Sequence, residues 1–463
     1  MPATPVIAIF DIGKTNKKLF LFNRDYEIVF ERSTSFDEIV DEDGDACEDV
    51  ENIRLFIFDS LRQVFMHKEF DIKAINFSGY GASLVFIDKD GETCAPLYNY
   101  LKAYSPELQK QFYGAYGGVE EFSFRTASPV LGNLNSGMQL YRLKFQNPPL
   151  FNRIKYALHL PQYLSFLISG QAYSDLTSIG CHTNLWDFYK NNYHNWVQQE
   201  GIDNKLAPIV SSSKVVPSLF PGSTLPVGIG LHDSSAALIP YLVYFKESFI
   251  LLSTGTWCIS LNPFNNTPLT KHELENDCLS YLSYEGTPVK ASRLFAGYEH
   301  EQQVKRLAEH FKVPAEQYKS VGFNVDILNG LLQQGTEEVA KNAVNSVVKT
   351  SVFNERKLDD FITYKQAYHQ LILDIIVTQY FSTGLVLQGS AIEKIFVDGG
   401  FSKNPIYMNL LAAYFPKQQV FAASVAQASA IGAALCLHSE WNDKTLPADM
   451  IQLKHYAPPF VIN

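Results

Sequence analysis

The chain has 463 residues, which at about 150 residues per domain is enough for roughly three domains. Apolar residues make up 46% and charged residues 19%, a globular balance, and 27 Gly with 22 Pro are too few for a collagen-like or low-complexity chain. The formal charge of −10 argues against unaided binding to nucleic acid or an anionic membrane, but not against a small phosphorylated ligand held by a local basic loop.

Six cysteines form no CxxC pair, so neither a disulfide scaffold nor a zinc ribbon is expected, and the thiols read as small apolar residues in a reducing cytoplasm. The opening MPATPVIAIFD lacks the basic start of a signal peptide. No apolar run approaches the ~18 residues of a membrane-spanning helix; the richest, Ala236 to Phe245, is short and broken by Pro240.

In chain order, Val6–Asp11, Lys18–Phe22 and Tyr26–Arg32 read as three strands joined by tight turns, an antiparallel meander. The acidic stretch Asp37 to Glu51 reads as a solvated turn rather than a calcium loop, because Gly44 is the fourth residue from Asp41 where an EF-hand needs the sixth. Val50, Ile53, Ile57, Leu61 and Val64 then recur at helical spacing. Lys73–Phe77 and Leu84–Asp88 return to strand character, with Lys89-Asp90-Gly91 as a hairpin turn and helical segments at Leu134–Phe145 and Pro161–Ile168. The second half repeats the opening: Ser248–Ser253 and Trp257–Leu261 are strands around the turn Thr254-Gly255-Thr256. Ile392–Asp398 is a buried-type strand that meets Gly399-Gly400, and Ala426–Leu437 is an Ala-rich helix with small faces suited to close packing. A repeat of about 240 residues predicts two similar α/β lobes, 1–240 and 241–463, with a cleft between them.

Four segments could carry chemistry. In Asp11-Ile-Gly-Lys-Thr-Asn-Lys-Lys18, Gly13 permits a tight turn whose backbone N–H groups face a phosphate, with Lys14, Thr15, Asn16 and Lys18 adding donors and charge. It is not a Walker A loop, because Ala8 stands where that motif needs glycine, and an ordinary hairpin is the competing reading. Asp11, at the strand end, could hold magnesium through water. Thr254, Gly255 and Thr256 repeat the logic, and two such turns in matching halves are harder to ascribe to chance than one. In Gly228-Ile-Gly-Leu-His-Asp-Ser-Ser235, Asp233 is either a helix cap or a general base taking a proton from a substrate hydroxyl as it attacks phosphorus. In Val397-Asp-Gly-Gly-Phe-Ser-Lys-Asn404, paired glycines allow an adenosine-like ligand close to the backbone, or simply make a turn. His300-Glu301 begins a zinc-protease motif, but Val304 breaks it.

In this order the four segments resemble the FGGY carbohydrate kinases, members of the actin-like (ribonuclease H-like) ATPase-fold group, from Ile7 to about Leu437. The resemblance implies ATP-dependent phosphorylation of an open-chain ketose or polyol, with ATP and Mg2+ bound and Asp233 as general base. It implies Asp11 near magnesium, Gly13 to Asn16 with Lys18 and Thr254 to Thr256 as phosphate loops, and Gly399, Gly400, Ser402 and Asn404 as the adenosine motif. The sugar would meet Gly79, Tyr80, Gly81, Ser83, His232 and Asp233. Ser253-Thr-Gly-Thr-Trp257 is similar to the S-[ST]-G-T-W sequence of rhamnulokinases, which favours a deoxyketohexose such as L-rhamnulose or L-fuculose. Departures keep xylulose or ribulose open: Tyr80 replaces a Trp of the T-W-G-V-D-F stretch and Ser83 its Asp. The expected partners are the sugar and ATP, with no nucleic acid or membrane, and a homodimer is left open. A non-catalytic nucleotide-binding scaffold is the rival of another class.

Overall fold

The computed structural model describes residues 2–333 and 352–458, apart from 221, 223 and 426. The chain divides into two compact units: Met1–Tyr244 with Ser280–Pro288 and Ala426–Met450, and Phe245–Leu279 with Val289–Val425 and Ile451–Asn463.

In the first unit, Thr4–Ile12 is a central strand whose apolar run is buried on both faces, as a strand with a parallel neighbour requires. It pairs antiparallel with Lys17–Asn23, which pairs antiparallel with Ile28–Thr34. On its other side it runs parallel to Phe70–Gly79, with Phe10 opposite Phe77 and their rings stacked at 5.8 Å. The helix Val50–Met66 turns Ile53, Ile57, Leu61 and Val64 inward and is capped by Asp49, whose carboxylate accepts from the Glu51 and Asn52 N–H groups.

The second unit repeats this order. Phe249–Thr254 pairs antiparallel with Cys258–Asn262, which pairs antiparallel with Pro288–Leu294. Phe249–Thr254 also runs parallel to Lys394–Gly399, which is parallel to Gln419–Ser424. Two units of this ribonuclease H-like strand order bear out the two α/β lobes that the paired turns predicted and the actin-like plan that the resemblance implied.

Three local expectations are corrected. The Ala-rich helix Ala428–Cys436 lies in the first unit, not with the rest of 241–463 (Ala426 itself falls outside the described residues). Its partner there is the helix Asp233–Tyr244, and a Cβ on Gly432 would stand 1.8 Å from the Ala236 carbonyl oxygen, so the two helices touch backbone to backbone. Second, the helix Tyr364–Leu387 is long and apolar enough to cross a membrane by length and composition, but 72% of its most apolar stretch is buried in the core of the second unit. Third, the acidic turn is not simply solvated. Asp41 is shielded from solvent, and the buried Lys102 ammonium sits 2.5, 2.7 and 3.1 Å from the carboxylates of Asp41, Asp43 and Asp45, filling the place a cation would take.

Candidate active site

The strand order of the first unit carries two carboxylates to one edge. Asp11 ends its strand opposite Lys18 on one neighbour and Ser78 on the other. Leu231 and His232 pair with Ser78 and Gly79, and Asp233 follows at once as the first residue of its helix. Asp11 Oδ2 accepts from the Ser429 hydroxyl at 2.9 Å, so the close-packed helix Ala428–Cys436 touches both the Asp11 carboxylate and the helix that Asp233 begins. Burial, with the nearby Asp233 charge, pushes the Asp11 carboxyl up to about 6 against the opposing hydrogen bonds from Ser429 and Ser78 and the Lys18 charge. Asp233 keeps its side chain about a third exposed, with Oδ1 accepting from the Ser234 N–H at 2.6 Å.

His232 lies behind this edge rather than on it. It is 4% exposed, its backbone N–H donates to the Thr177 hydroxyl at 2.9 Å, and its Nε2 is 3.3 Å from both Cys181 Sγ and Asp233 Oδ1. Burial pushes its pKa down, so the ring is neutral near pH 7. A Cβ on Gly81 would lie 2.8 Å from that ring, which explains the glycine by packing. Tyr80 and Ser83 are buried too: the Tyr80 N–H donates to the Ile12 carbonyl at 3.2 Å, and the Ser83 carbonyl accepts from the Leu160 N–H at 3.1 Å. Gly79 packs on Pro161.

The turn Gly13-Lys14-Thr15-Asn16 closes through the Gly13 N–H to the Asn16 carbonyl at 2.9 Å, so that N–H is engaged within the hairpin. Its lysines arrive with acids. Lys14 is 2.8 Å from Glu38 and 3.3 Å from Glu48, Lys18 is 3.2 Å from Glu31, and the buried Lys17, which the sequence did not single out, is 3.2 Å from Glu48. The local positive potential expected from Lys18 is therefore largely balanced.

In the second unit a cavity of about 550 Å³, of the size of small-molecule sites, opens between the turn Thr254–Gly255 and the segment Gly400–Pro405. Its geometry divides the predicted residues by role. Gly399, at φ +95°, is required by the fold: a Cβ there would be 2.1 Å from the Thr254 carbonyl oxygen. Gly400 lines the cavity, where a Cβ would meet that oxygen only at 3.8 Å. The Thr254 hydroxyl donates to the Asp398 carbonyl at 2.6 Å and accepts from the Phe401 N–H at 3.1 Å, and the Ser402 hydroxyl donates to the Gly399 carbonyl at 2.7 Å, so both tie the loop together. The Thr256 carbonyl accepts from the Tyr298 N–H at 3.1 Å, and the Gly255 N–H donates to the Trp257 carbonyl at 2.9 Å. Asn404 lines the cavity and caps the helix Pro405–Tyr414.

Sequence reasoning missed Ser78 and Ser429 beside Asp11, and His300, Tyr318 and Tyr368 around the cavity. His300 drew notice only for a metal motif that it fails, and Ser429 lay within a run read for packing alone.

A carboxylate raised chiefly by burial, the Ser429 hydroxyl that donates to it and a second carboxylate nearby make an oxygen donor set suited to Mg2+, and a cation would offset the smaller rise that the Asp233 charge adds. A glycine-containing hairpin turn between the first two strands of each of two ribonuclease H-like units fits an actin-like architecture. The chain belongs to the FGGY family of carbohydrate kinases: residues 6–239 match the pattern "FGGY family of carbohydrate kinases, N-terminal domain", and 246–445 match "Carbohydrate kinase FGGY, C-terminal domain". Among curated proteins it is 20% identical over 274 residues to a rhamnulokinase of Mannheimia succiniciproducens, covering 55% of this chain and 52% of that protein. It is 25% identical over 286 residues to an L-fuculokinase of Escherichia coli K12, covering 54% and 55%. The alignments thus span about half the length of these curated relatives. Among solved structures, a carbohydrate kinase from Novosphingobium aromaticivorans superposes with TM-score 0.77 at 22% identity, over 98% of this chain and 95% of that one. A ligand-bound xylulose kinase from Lactobacillus acidophilus gives TM-score 0.76 at 16% identity, over 98% and 94%.

Proposed function

We propose that the chain is an ATP-dependent sugar kinase in which Asp233 takes the proton of the attacking hydroxyl. The observation that carries this reading is the pairing of Asp11 with Asp233 at one strand edge of the first unit: one carboxylate buried among hydroxyls, the other solvent-reachable at a helix start. Asp233 orients the sugar hydroxyl and removes its proton as the oxygen attacks phosphorus. His232, neutral and fixed behind it, holds the Asp233 carboxylate in place. In the second unit the Thr254–Gly255 turn and Gly400 cradle the nucleotide chiefly with backbone, while the lysines of the first-unit turn are already paired with acids. Magnesium, when bound with ATP, would be held through Asp11 and would neutralise phosphate charge. Positioning supplies most of the acceleration, since phosphoryl transfer asks for little covalent chemistry from the protein.

The preferred substrate class is a deoxyketohexose such as L-rhamnulose or L-fuculose, supported by the Ser253–Trp257 sequence and by the similarity to a rhamnulokinase and an L-fuculokinase. A coupled ADP-release assay over deoxyketohexoses, pentuloses, aldoses and polyols tests this. Turnover of xylulose or ribulose in preference would transfer the assignment to a pentulose kinase. ATP binding with no turnover of any sugar would favour a nucleotide-binding scaffold. Asp233→Asn should retain sugar binding and lose ~100-fold or more in kcat; near-wild-type turnover refutes the base assignment.

A further inference from the structure

Inside the cavity of the second unit three side chains from separate elements form one directed hydrogen-bond chain. Asn404 caps the helix Pro405–Tyr414, its Oδ1 accepting from the Ile406 and Tyr407 N–H groups at 3.0 and 3.2 Å. That fixes the amide orientation, so Nδ2 faces and donates to the Tyr368 hydroxyl oxygen at 2.9 Å. The Tyr368 proton must then point elsewhere, and His300 Nε2 lies 3.0 Å from the phenol oxygen. Nε2 is the acceptor, so the ring proton sits on Nδ1.

The surroundings hold that state. The His300 ring meets Tyr318 at 5.0 Å, Phe401 at 5.3 Å and Tyr368 at 5.8 Å, each close to edge-on, so aromatic rings pack it on three sides. Burial pushes its pKa down to about 4, keeping it neutral near pH 7 despite the adjacent Glu301. His300, Tyr318, Tyr368 and Asn404 all line the cavity. A rigid aromatic wall carrying one N–H of fixed direction is suited to a flat heteroaromatic ring that offers a lone pair.

Resting on the nucleotide-binding reading of this cavity, we propose that the Asn404–Tyr368–His300 chain is a nucleobase-reading device, in which His300 Nδ1–H donates to an acceptor nitrogen of the purine. His300 is the binding residue. Tyr368 and Asn404 are positioning residues that set its tautomer.

The test measures binding, not turnover. ADP and its 1-deaza, 3-deaza and 7-deaza analogues, each lacking one acceptor nitrogen, are titrated by calorimetry into the full chain. One analogue should bind about five- to tenfold more weakly than ADP, the scale of one hydrogen bond. In His300→Phe, ADP should fall to that analogue's affinity while the analogue is unchanged. Tyr368→Phe should narrow the same gap and shift the His300 15N resonances away from the Nδ1–H pattern, a readout that general loosening would not give. The inference is overturned if all three analogues bind like ADP to the wild type, or if His300→Phe weakens ADP and every analogue alike. Failure of the wild type to bind ADP at all strikes the nucleotide reading itself and is thus distinct from failure of the relay.

Discussion

Replacing Asp11 by Asn should make the protein more stable at neutral pH while abolishing its proposed activity. The carboxyl stands at about 6 in the folded chain against an ordinary 3.8, chiefly because burial removes it from water and secondarily because Asp233 repels it. Between those two values the folded state binds the proton more tightly than the unfolded state, so stability falls as pH rises from about 4 to about 6 and stays lower above. At ~1.4 kcal/mol per pH unit the full displacement is worth ~3 kcal/mol. Asp11 is partly open to solvent by surface area, so this figure is a ceiling and ~1–2 kcal/mol is the working expectation. Asn preserves the shape, and its Oδ1 can still accept from the Ser429 hydroxyl now 2.9 Å away. The check is urea unfolding, followed separately at pH 7.5 and pH 4. The variant should gain at pH 7.5, and most of that gain should vanish at pH 4, where the wild-type carboxyl is itself neutral. A variant that loses stability equally at both pH values refutes the argument, because the carboxylate would then be contributing through its hydrogen bonds more than it costs by desolvation.

Two further perturbations follow from close contacts. In Gly297→Ala the new Cβ would stand 1.8 Å from the Gly255 carbonyl oxygen, so the Thr254–Thr256 turn must shift, and ADP affinity should fall at least ~10-fold while the far-ultraviolet dichroism is retained; unchanged ADP affinity by calorimetry contradicts a cradle role for that turn. Lys102→Met removes the ammonium from three carboxylates and leaves the shielded Asp41 unpaired, at a cost of about 3 kcal/mol for a buried pair broken on one side. Burial alone would raise the Asp41 carboxyl, and the Lys102 contact with two backbone N–H groups outweighs it to hold the group below its usual value. The Lys102 contribution is therefore present above pH ~4 and lost below it, so the difference in melting temperature between variant and wild type should persist from pH 7 down to about pH 4 and shrink in stronger acid.

What the sequence made legible was whatever depends on residues close together in the chain. The strand–turn–strand at Thr4–Asn23 and its counterpart at Phe249–Asn262 were visible because burial on both faces writes a continuous apolar run and a tight turn writes a glycine. Helix faces followed from spacing, as with Ile53, Ile57, Leu61 and Val64. The return of Ala428–Cys436 to the first unit was not visible. Its small residues announced a close contact, but nothing in their spacing said that the contact was Ala236. The acidic turn misled for a similar reason: three aspartates in five residues look solvated until Lys102 enters from about sixty residues away.

The same distinction separates the two readings of each glycine motif. A hairpin turn and a phosphate cradle share a local signature, because both need a backbone free of side chains. Only three-dimensional neighbours divide them. Gly399 is excluded from growing a side chain by the Thr254 carbonyl and is needed whatever the ligand, whereas Gly400, one residue later, has room for a Cβ and faces the cavity. Thr254, expected in a phosphate loop, and Ser402, expected in the adenosine motif, use their hydroxyls to tie the loop. The polar groups that give the cavity a direction are instead His300 and Tyr368, whose ring nitrogen and phenol oxygen lie 3.0 Å apart across 68 positions of sequence. A motif in this chain therefore marks where backbone must come close. The residues proposed to read the ligand, His300 and Tyr368, arrive from helices that packing, rather than any local pattern, brings to that place.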